Sequence, residues 1–404
     1  MKRFFASLAL MLLSVSGQAQ EVTLRHALTG RSLDTLSSLA LRFNSAQKGK
    51  GKVVLQDLGT VSDRARLPHM ALLNIDDSTV YFSKVTAYKP LYQVMKDSGQ
   101  KFSTSGMYPQ IIDAMSEKPG QLNALPLGLS LPVLYWNKEL FRKAGVEPEV
   151  APRTWHEVLE VAGKLIDARI CPLTSSRFSW TQLENITQQQ GQPTMTAGNR
   201  VALNGLINVK HIAMLASWYR STYFRYYGPR DEANQHFLSG ECAMLISESS
   251  LHSEIKAGGR IDAGVGGLPY YDDEYGVVPG NVSPDGVGLW MLAGKAKAEY
   301  QVMAKFAAFM MQRDVQQAWV KGTGYLPMTA QSIVALRESG MSPYVVDAAV
   351  RRLSKHADKF RLKSGPLQMK VRNDIGEQME LVWRDEVSSK QALDNAMQKA
   401  NSAK

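Results

Sequence analysis

The sequence predicts an α/β protein of two interleaved lobes, and three observations carry that expectation. The chain begins strand, helix, strand: residues 22–28 alternate, residues 32–44 place Leu33, Leu36, Leu39, Ala40 and Phe43 on one helical face, and Val53, Val54 and Leu55 form the next β-prone run. That order implies a parallel sheet. The stretch 125–145, LPLGLSLPVLYWNKELFRKAG, reads as a crossing. Pro126 and Pro132 exclude helix, residues 132–136 are an apolar strand, Asn137 caps a helix over 138–144, and Gly145 ends it. Nowhere is there an internal repeat, a low-complexity tract or a flexible linker, so the lobes interleave and are not strung in series.

The gross numbers are those of a globular protein. The chain has 404 residues, enough for two to three domains at roughly 150 residues each. Charged residues are 21% and hydrophobic ones 44%. Residues 1–20 stand apart: Lys2 and Arg3 precede an apolar run over 4–15, and Gly17 and Ala19 have the small-residue spacing of a signal-peptidase site. They are expected to form a cleavable export signal, with no later run long enough for a membrane helix. The formal net charge is +10, about +8 without Lys2 and Arg3. Such a balance suits anionic ligands or simple solubility, and no aromatic-basic motif asks for nucleic acid. Cys171 and Cys242 both sit in strand-like runs; after export they form either a disulfide between neighbouring strands or two buried thiols.

Farther along, residues 77–82 read as a strand and 88–98 as a helix. Beyond the crossing, Thr154 opens a helix with Val158, Val161, Ala162 and Leu165 on one face, and Ser179 is a candidate cap for a helix running to residue 190. Helices follow over 209–223 and 231–238, then strands over 242–246, 264–269 and 287–292. An apolar helix over 296–311 ends before Gly322-Thr323-Gly324-Tyr325-Leu326-Pro327, and the remainder is helical over 332–338, 344–353, 371–383 and 389–401.

Catalytic motifs are missing. There is no G-x-S-x-G elbow, H-E-x-x-H, P-loop or G-x-G-x-x-G, and the seven histidines are scattered. No cofactor, metal or enzyme activity is expected, and Asp272-Asp273 reads as a solvated loop.

The run P-V-L-Y-W-N-K-E-L-F-x-K-A-G at 132–145 resembles the first inter-lobe crossing of the periplasmic solute-binding proteins of ABC importers, in the branch that includes maltose binders. Trp180 with Thr181-Gln182-Leu183-Glu184-Asn185, the VKHIAML run at 209–215, SGECAM at 239–244, Gly286 to Trp290, TGYLP at 323–327 and Val382-Trp383 resemble that family's glycerol-3-phosphate binders. These blocks span 125–404. The resemblance implies a type II periplasmic-binding-protein fold with crossings near 126–132, 268–270 and 323–327. Lobe one would comprise 21–127 plus 269–323, and lobe two 128–268 plus 324–404. It also implies a periplasmic, monomeric binder of an organophosphate or a sugar, delivering to inner-membrane permease subunits.

The same resemblance supplies the expected ligand-binding residues: Arg372, Tyr325, Ser130, Gly286, Ser249 and Trp180. A phosphomonoester carries about −1.5 to −2 charge and three acceptor oxygens, so arginine, hydroxyls and backbone N–H groups suit it. Trp180 would stack on the carbon face. Arg372 is expected on a cleft-lining helix face, where its loss would leave stability nearly unchanged. Departures gather in the first lobe. Arg25 precedes His26, Ala27-Leu28-Thr29-Gly30 follows, a tyrosine near 56–62 has no counterpart, and Tyr81-Phe82-Ser83-Lys84 lacks a family carboxylate. The phosphate-facing half of the site is kept and the polyol-facing half altered, which leaves a neutral sugar or polyol as the alternative ligand.

Overall fold

The computed structural model describes residues 20–57, 67–74, 88–118, 120–355 and 366–402. All of the export signal expected over 1–20 except Gln20, the strand expected at 77–82, the run Tyr81–Lys84 and most of 56–62 lie outside the described residues.

Strands in chain order are β1 (Gln20–His26), β2 (Gly51–Asp57), β3 (Met70–Asn74), β4 (Ser116–Lys118), β5 (Gln121–Leu122), β6 (Leu125–Ser130), β7 (Pro132–Asn137), β8 (Cys171–Ser175), β9 (Phe224–Arg225), β10 (Cys242–Glu248), β11 (Ala263–Gly267) and β12 (Asp285–Met291). They build two five-stranded sheets, ordered β2-β1-β3-β12-β6 and β11-β7-β10-β8-β9, and a β4-β5 hairpin. The chain leaves sheet one at Ser130 and enters sheet two at Pro132 with only Leu131 between, as the two prolines in this stretch require. It returns to sheet one between β11 and β12 and touches β6 once more where Leu326 bridges Leu129.

The expected parallel sheet is found only in part. β1 pairs in parallel with β2 and β3, as the strand–helix–strand start implies. β12, however, runs antiparallel to both β3 and β6. It enters sheet one from the far end after the excursion through sheet two, a reversal that local sequence does not encode. Sheet two is likewise mixed, with β7 antiparallel to β10 and β11 and β8 parallel to β10.

Local signals set the elements. In β1, Val22, Leu24 and His26 turn inward and are buried, which is the period-two pattern of a half-buried strand. The helix Gly30–Ala46 lays Leu36, Leu39, Ala40 and Phe43 against the core. Asn137 accepts from the backbone N–H groups of Glu139 and Leu140, capping Lys138–Lys143, and Gly145 follows at φ +65°. Thr154 and Glu157 form a reciprocal capping box on Trp155–Asp167, of the kind that contributes about 1 kcal/mol. Ser179 departs from its expected role. It has helical dihedrals and caps nothing, because Trp180–Glu184 is a π-helical turn already continuous with the residues before it.

Cys171 and Cys242 are register partners in the parallel pair β8–β10 and are joined by a disulfide. The alternative of two buried thiols is thereby excluded. No helix among the described residues is long and apolar enough to cross a membrane.

Candidate functional site

The carboxyl end of β8 turns sharply into the π-helical turn, and the bend places Arg177 at φ +50°. A non-glycine residue there is strained and needs support from its surroundings. Its backbone N–H donates to the Arg230 carbonyl at 2.5 Å, that of Ser176 donates to Ile246 and that of Phe178 to Pro229. So held, the Arg177 side chain turns inward with 5% exposure. Its guanidinium donates to Glu248 at 3.1 Å and to Asp285 at 2.8 Å, and lies 4.9 Å over the Trp180 ring.

The helix Pro366–Trp383 brings Arg372 to the same carboxylate. Arg372 donates to Asp285 at 2.6 Å through Nη1, and to the two Glu184 oxygens at 2.7 and 3.0 Å through Nε and Nη2. Gln368, one turn earlier, donates to Glu184 at 3.0 Å. Asp285, the first residue of β12, is 2% exposed and accepts the backbone N–H of Gly286 with its other oxygen at 2.8 Å. A buried chain of alternating charge therefore runs Glu248, Arg177, Asp285, Arg372, Glu184. Burial pushes the Glu248 carboxyl up from its ordinary range, and the Arg177 guanidinium opposes that shift.

Two cavities flank this chain. One, of about 420 Å³, lies between the sheets. Ala27 to Ser32, Leu72 and Val287 line it on the sheet-one side; Arg177, Arg230, Asp231, Asn234, Glu248 and Ser250 line it on the sheet-two side, with Tyr325 at the return crossing. The other, of about 370 Å³, is bounded by Arg177, Trp180, Arg230, Arg372, Glu377 and Glu380. Both fall in the range of roughly 300–1,000 Å³ usual for small-molecule sites, and they share Arg177 and Arg230.

The six expected ligand residues are distributed unevenly over this ground. Tyr325 lines the inter-sheet cavity, and burial holds its hydroxyl well above the usual tyrosine range. Arg372 and Trp180 line the second cavity, with the Trp180 indole donating to the Ser283 carbonyl. Ser130 and Ser249 are fully buried at the crossing. The Ser130 hydroxyl donates to Ser250, and that of Ser249 accepts from the Leu131 backbone N–H. Gly286 is required by packing: a Cβ there would lie 1.7 Å from the Gly128 carbonyl oxygen on β6. The resemblance did not offer Arg177, Glu184, Glu248 or Asp285 as site residues, although Glu184 stands in one of the blocks that carry it. The signal available was slight: Glu184 next to Leu183 in a largely polar helical run, and Asp285 directly before the strand glycine. Among the described residues, no group of His, Cys, Asp and Glu side chains could hold a metal ion.

Comparison with known proteins places the chain in a family. Residues 46–336 match the bacterial extracellular solute-binding proteins. The chain is 32% identical to the sn-glycerol-3-phosphate-binding periplasmic protein UgpB of Escherichia coli K12 over 426 residues, 98% of this chain and 96% of that one. It is 31% identical to the protein of the same name from Pectobacterium atrosepticum, over 98% of this chain and 94% of that one. The fold is shared with UgpB of Mycobacterium tuberculosis in complex with glycerophosphocholine, at a TM-score of 0.73 and 19% identity over 95% of this chain and 98% of that one. It is also shared with the GacH receptor of Streptomyces glaucescens, solved with acarbose, at 0.77 and 18% over 95% and 99%. Two mixed sheets meeting at a cleft are thus the type II binding-protein architecture, and the chain belongs to the bacterial extracellular solute-binding proteins.

Proposed function

We propose that the protein is the extracytoplasmic substrate-binding component of an ABC importer, acting in the periplasm as a monomer. It captures glycerol-3-phosphate or a glycerophosphodiester between its lobes and delivers it to inner-membrane permease subunits. The lobes are taken as 21–127 with 269–323 and 128–268 with 324–404, although residues 128–130 lie in β6 of sheet one and Tyr270, Val278, Asn281 and Ser283 hydrogen-bond to residues of the 128–268 lobe. Closure about the crossings would present the loaded form to the permease.

The observation that carries this reading is the convergence of Arg177 and Arg372 on one buried carboxylate beside the cleft. Guanidinium forks match phosphoryl oxygens in geometry and charge. A micromolar ligand needs about 8 kcal/mol of net binding free energy. Charge-assisted hydrogen bonds at roughly 1.5–3 kcal/mol each approach that figure with a few contacts. The names of the relatives point to the same ligand class. In this reading Tyr325 contacts the ligand from the inter-sheet cavity, and Arg372 and Trp180, which line the second cavity, reach it where the two cavities meet at Arg177 and Arg230. Ser130, Ser249 and Gly286 act at the crossing, where their groups meet the backbone of both sheets.

A thermal-shift screen with glycerol-3-phosphate, glycerophosphocholine, inorganic phosphate, maltose and glycerol tests it. A ligand at about 100 times its Kd stabilises the folded state by about 2.7 kcal/mol. Organophosphates alone should raise the melting temperature. A shift with maltose or glycerol alone would replace this reading by the neutral sugar or polyol, which the three carboxylates facing two arginines in the network would favour.

A further inference from the structure

Asp285 does more than neutralise charge. Its Oδ2 accepts from Arg177 at 2.8 Å and from Arg372 at 2.6 Å, and its Oδ1 accepts the Gly286 backbone N–H at 2.8 Å. Two guanidinium groups and a backbone N–H are the donor set that a phosphoryl group takes up. The donors come from separate places. Arg177 follows β8, Arg372 is carried by the helix Pro366–Trp383, and Gly286 lies in β12 of the other sheet. The carboxylate thus reaches from the end of sheet one across to arginines of the sheet-two side. It occupies two of the contacts expected for the ligand, Arg372 and Gly286. Glu184 grips Arg372 from the far side and holds its Nη1 toward Asp285.

We infer that Asp285 is a specificity-determining residue, an internal anion seated in the phosphoryl subsite. This rests on the organophosphate reading above. A ligand binds by displacing the Asp285 carboxylate from the two arginines, so the group it presents must offer more charge or more acceptor oxygens than a carboxylate does. A phosphomonoester or inorganic phosphate meets that demand; a phosphodiester, a carboxylate or a neutral hydroxyl does not, so of the two ligands proposed above this selects glycerol-3-phosphate. With no ligand bound, the same contact ties the sheet-one strand end to the sheet-two side.

Isothermal titration of the wild type and of Asp285→Asn with inorganic phosphate, and in parallel with glycerol-3-phosphate, tests the inference. Asparagine keeps the size and an acceptor for Gly286 and removes the competing charge. The expected result is phosphate binding at least tenfold tighter in the variant. Unchanged or weaker phosphate binding by a folded variant overturns the inference, because Asp285 would then be positioning the arginines and not competing for them. If Asp285→Asn shows no cooperative thermal transition, Asp285→Ser is titrated in its place with the same two outcomes. Failure of the functional reading has a separate signature: neither protein responds to glycerol-3-phosphate, while the phosphate ratio still reports on Asp285.

Discussion

The two walls of the cleft are made of different things. The sheet-one wall, the loop Ala27–Thr29, the helix start Gly30–Ser32, and Leu72 and Val287 from two strands, presents small or aliphatic side chains apart from Arg31. The sheet-two wall carries Arg177, Arg230, Asp231 and Glu248, and the two strands that lead to Arg177 and Glu248, β8 and β10, are joined by the disulfide at their opposite ends. One wall offers shape and the other charge. Under the proposed function, recognition of the anion falls to the sheet-two side, and the departures noted in the first lobe bear on the part of the ligand that carries no phosphate.

That contrast can be broken most forcefully at Arg372. Replacing it by alanine should weaken organophosphate binding at least a hundredfold by calorimetry. Read as a cleft-lining surface residue, Arg372 should leave stability untouched; its structure says otherwise. It is 7% exposed and answers both Glu184 and Asp285. Removing one partner of such a network strands buried carboxylates and costs about 3–5 kcal/mol. Urea unfolding that shows no loss would mean that the charged wall is not held by its own ion pairs.

The brace comes next. Cys171→Ala with Cys242→Ala opens a loop of 71 residues, worth about 4 kcal/mol in the chain-entropy account. The melting temperature should fall by the same amount in the variant and in the reduced wild type. A sheet-two side that tolerates both without change would mean that the disulfide does not brace it.

The smallest effect sharpens the picture behind the wall. His211 is fully buried, its ring nitrogens facing Tyr271 and Gln182 at 2.7 and 2.9 Å. Burial lowers its pKa from 6.5 to about 3. The unfolded chain takes up a proton below about pH 6.5 and the folded chain does not, so stability is lost on acidification through that window. At about pH 5 the loss is about 2 kcal/mol relative to pH 7, from roughly 1.4 kcal/mol per pKa unit. His211→Gln should remove this slope from urea titrations; an unchanged slope assigns it to another group.

Much of the fold was legible because it rests on local chemistry. Asn137, Gly145 and the Thr154 box mark their helix ends as their side chains dictate, and the proline pair fixes the crossing. The direction of β12 was not legible, since it depends on which end of sheet one the chain re-enters after sheet two. Of the site, the resemblance led to Arg372, Tyr325 and Trp180, which do line cavities. Arg177 escaped notice because its importance lies in a left-handed bend and in contacts with residues 71 and 108 positions away. Ser179 was misread as a cap because a π-helical turn leaves no sequence signature of its own.

The place of β12 in sheet one has a consequence for how the chain comes together. Its partner on one side is β3, where Asn74 meets Val287, 213 positions apart by their numbers. On the other it is β6, already released by the time the chain starts sheet two. Sheet two, by contrast, draws all five strands from the continuous stretch 132–267. The amino-terminal strands must therefore wait for their middle neighbour until nearly three quarters of the polypeptide has been delivered. Closing so long a loop is entropically slow. A chain that has to thread through a translocation pore unfolded gains time from that delay: its leading segment stays without a finished sheet while the rest is still on its way.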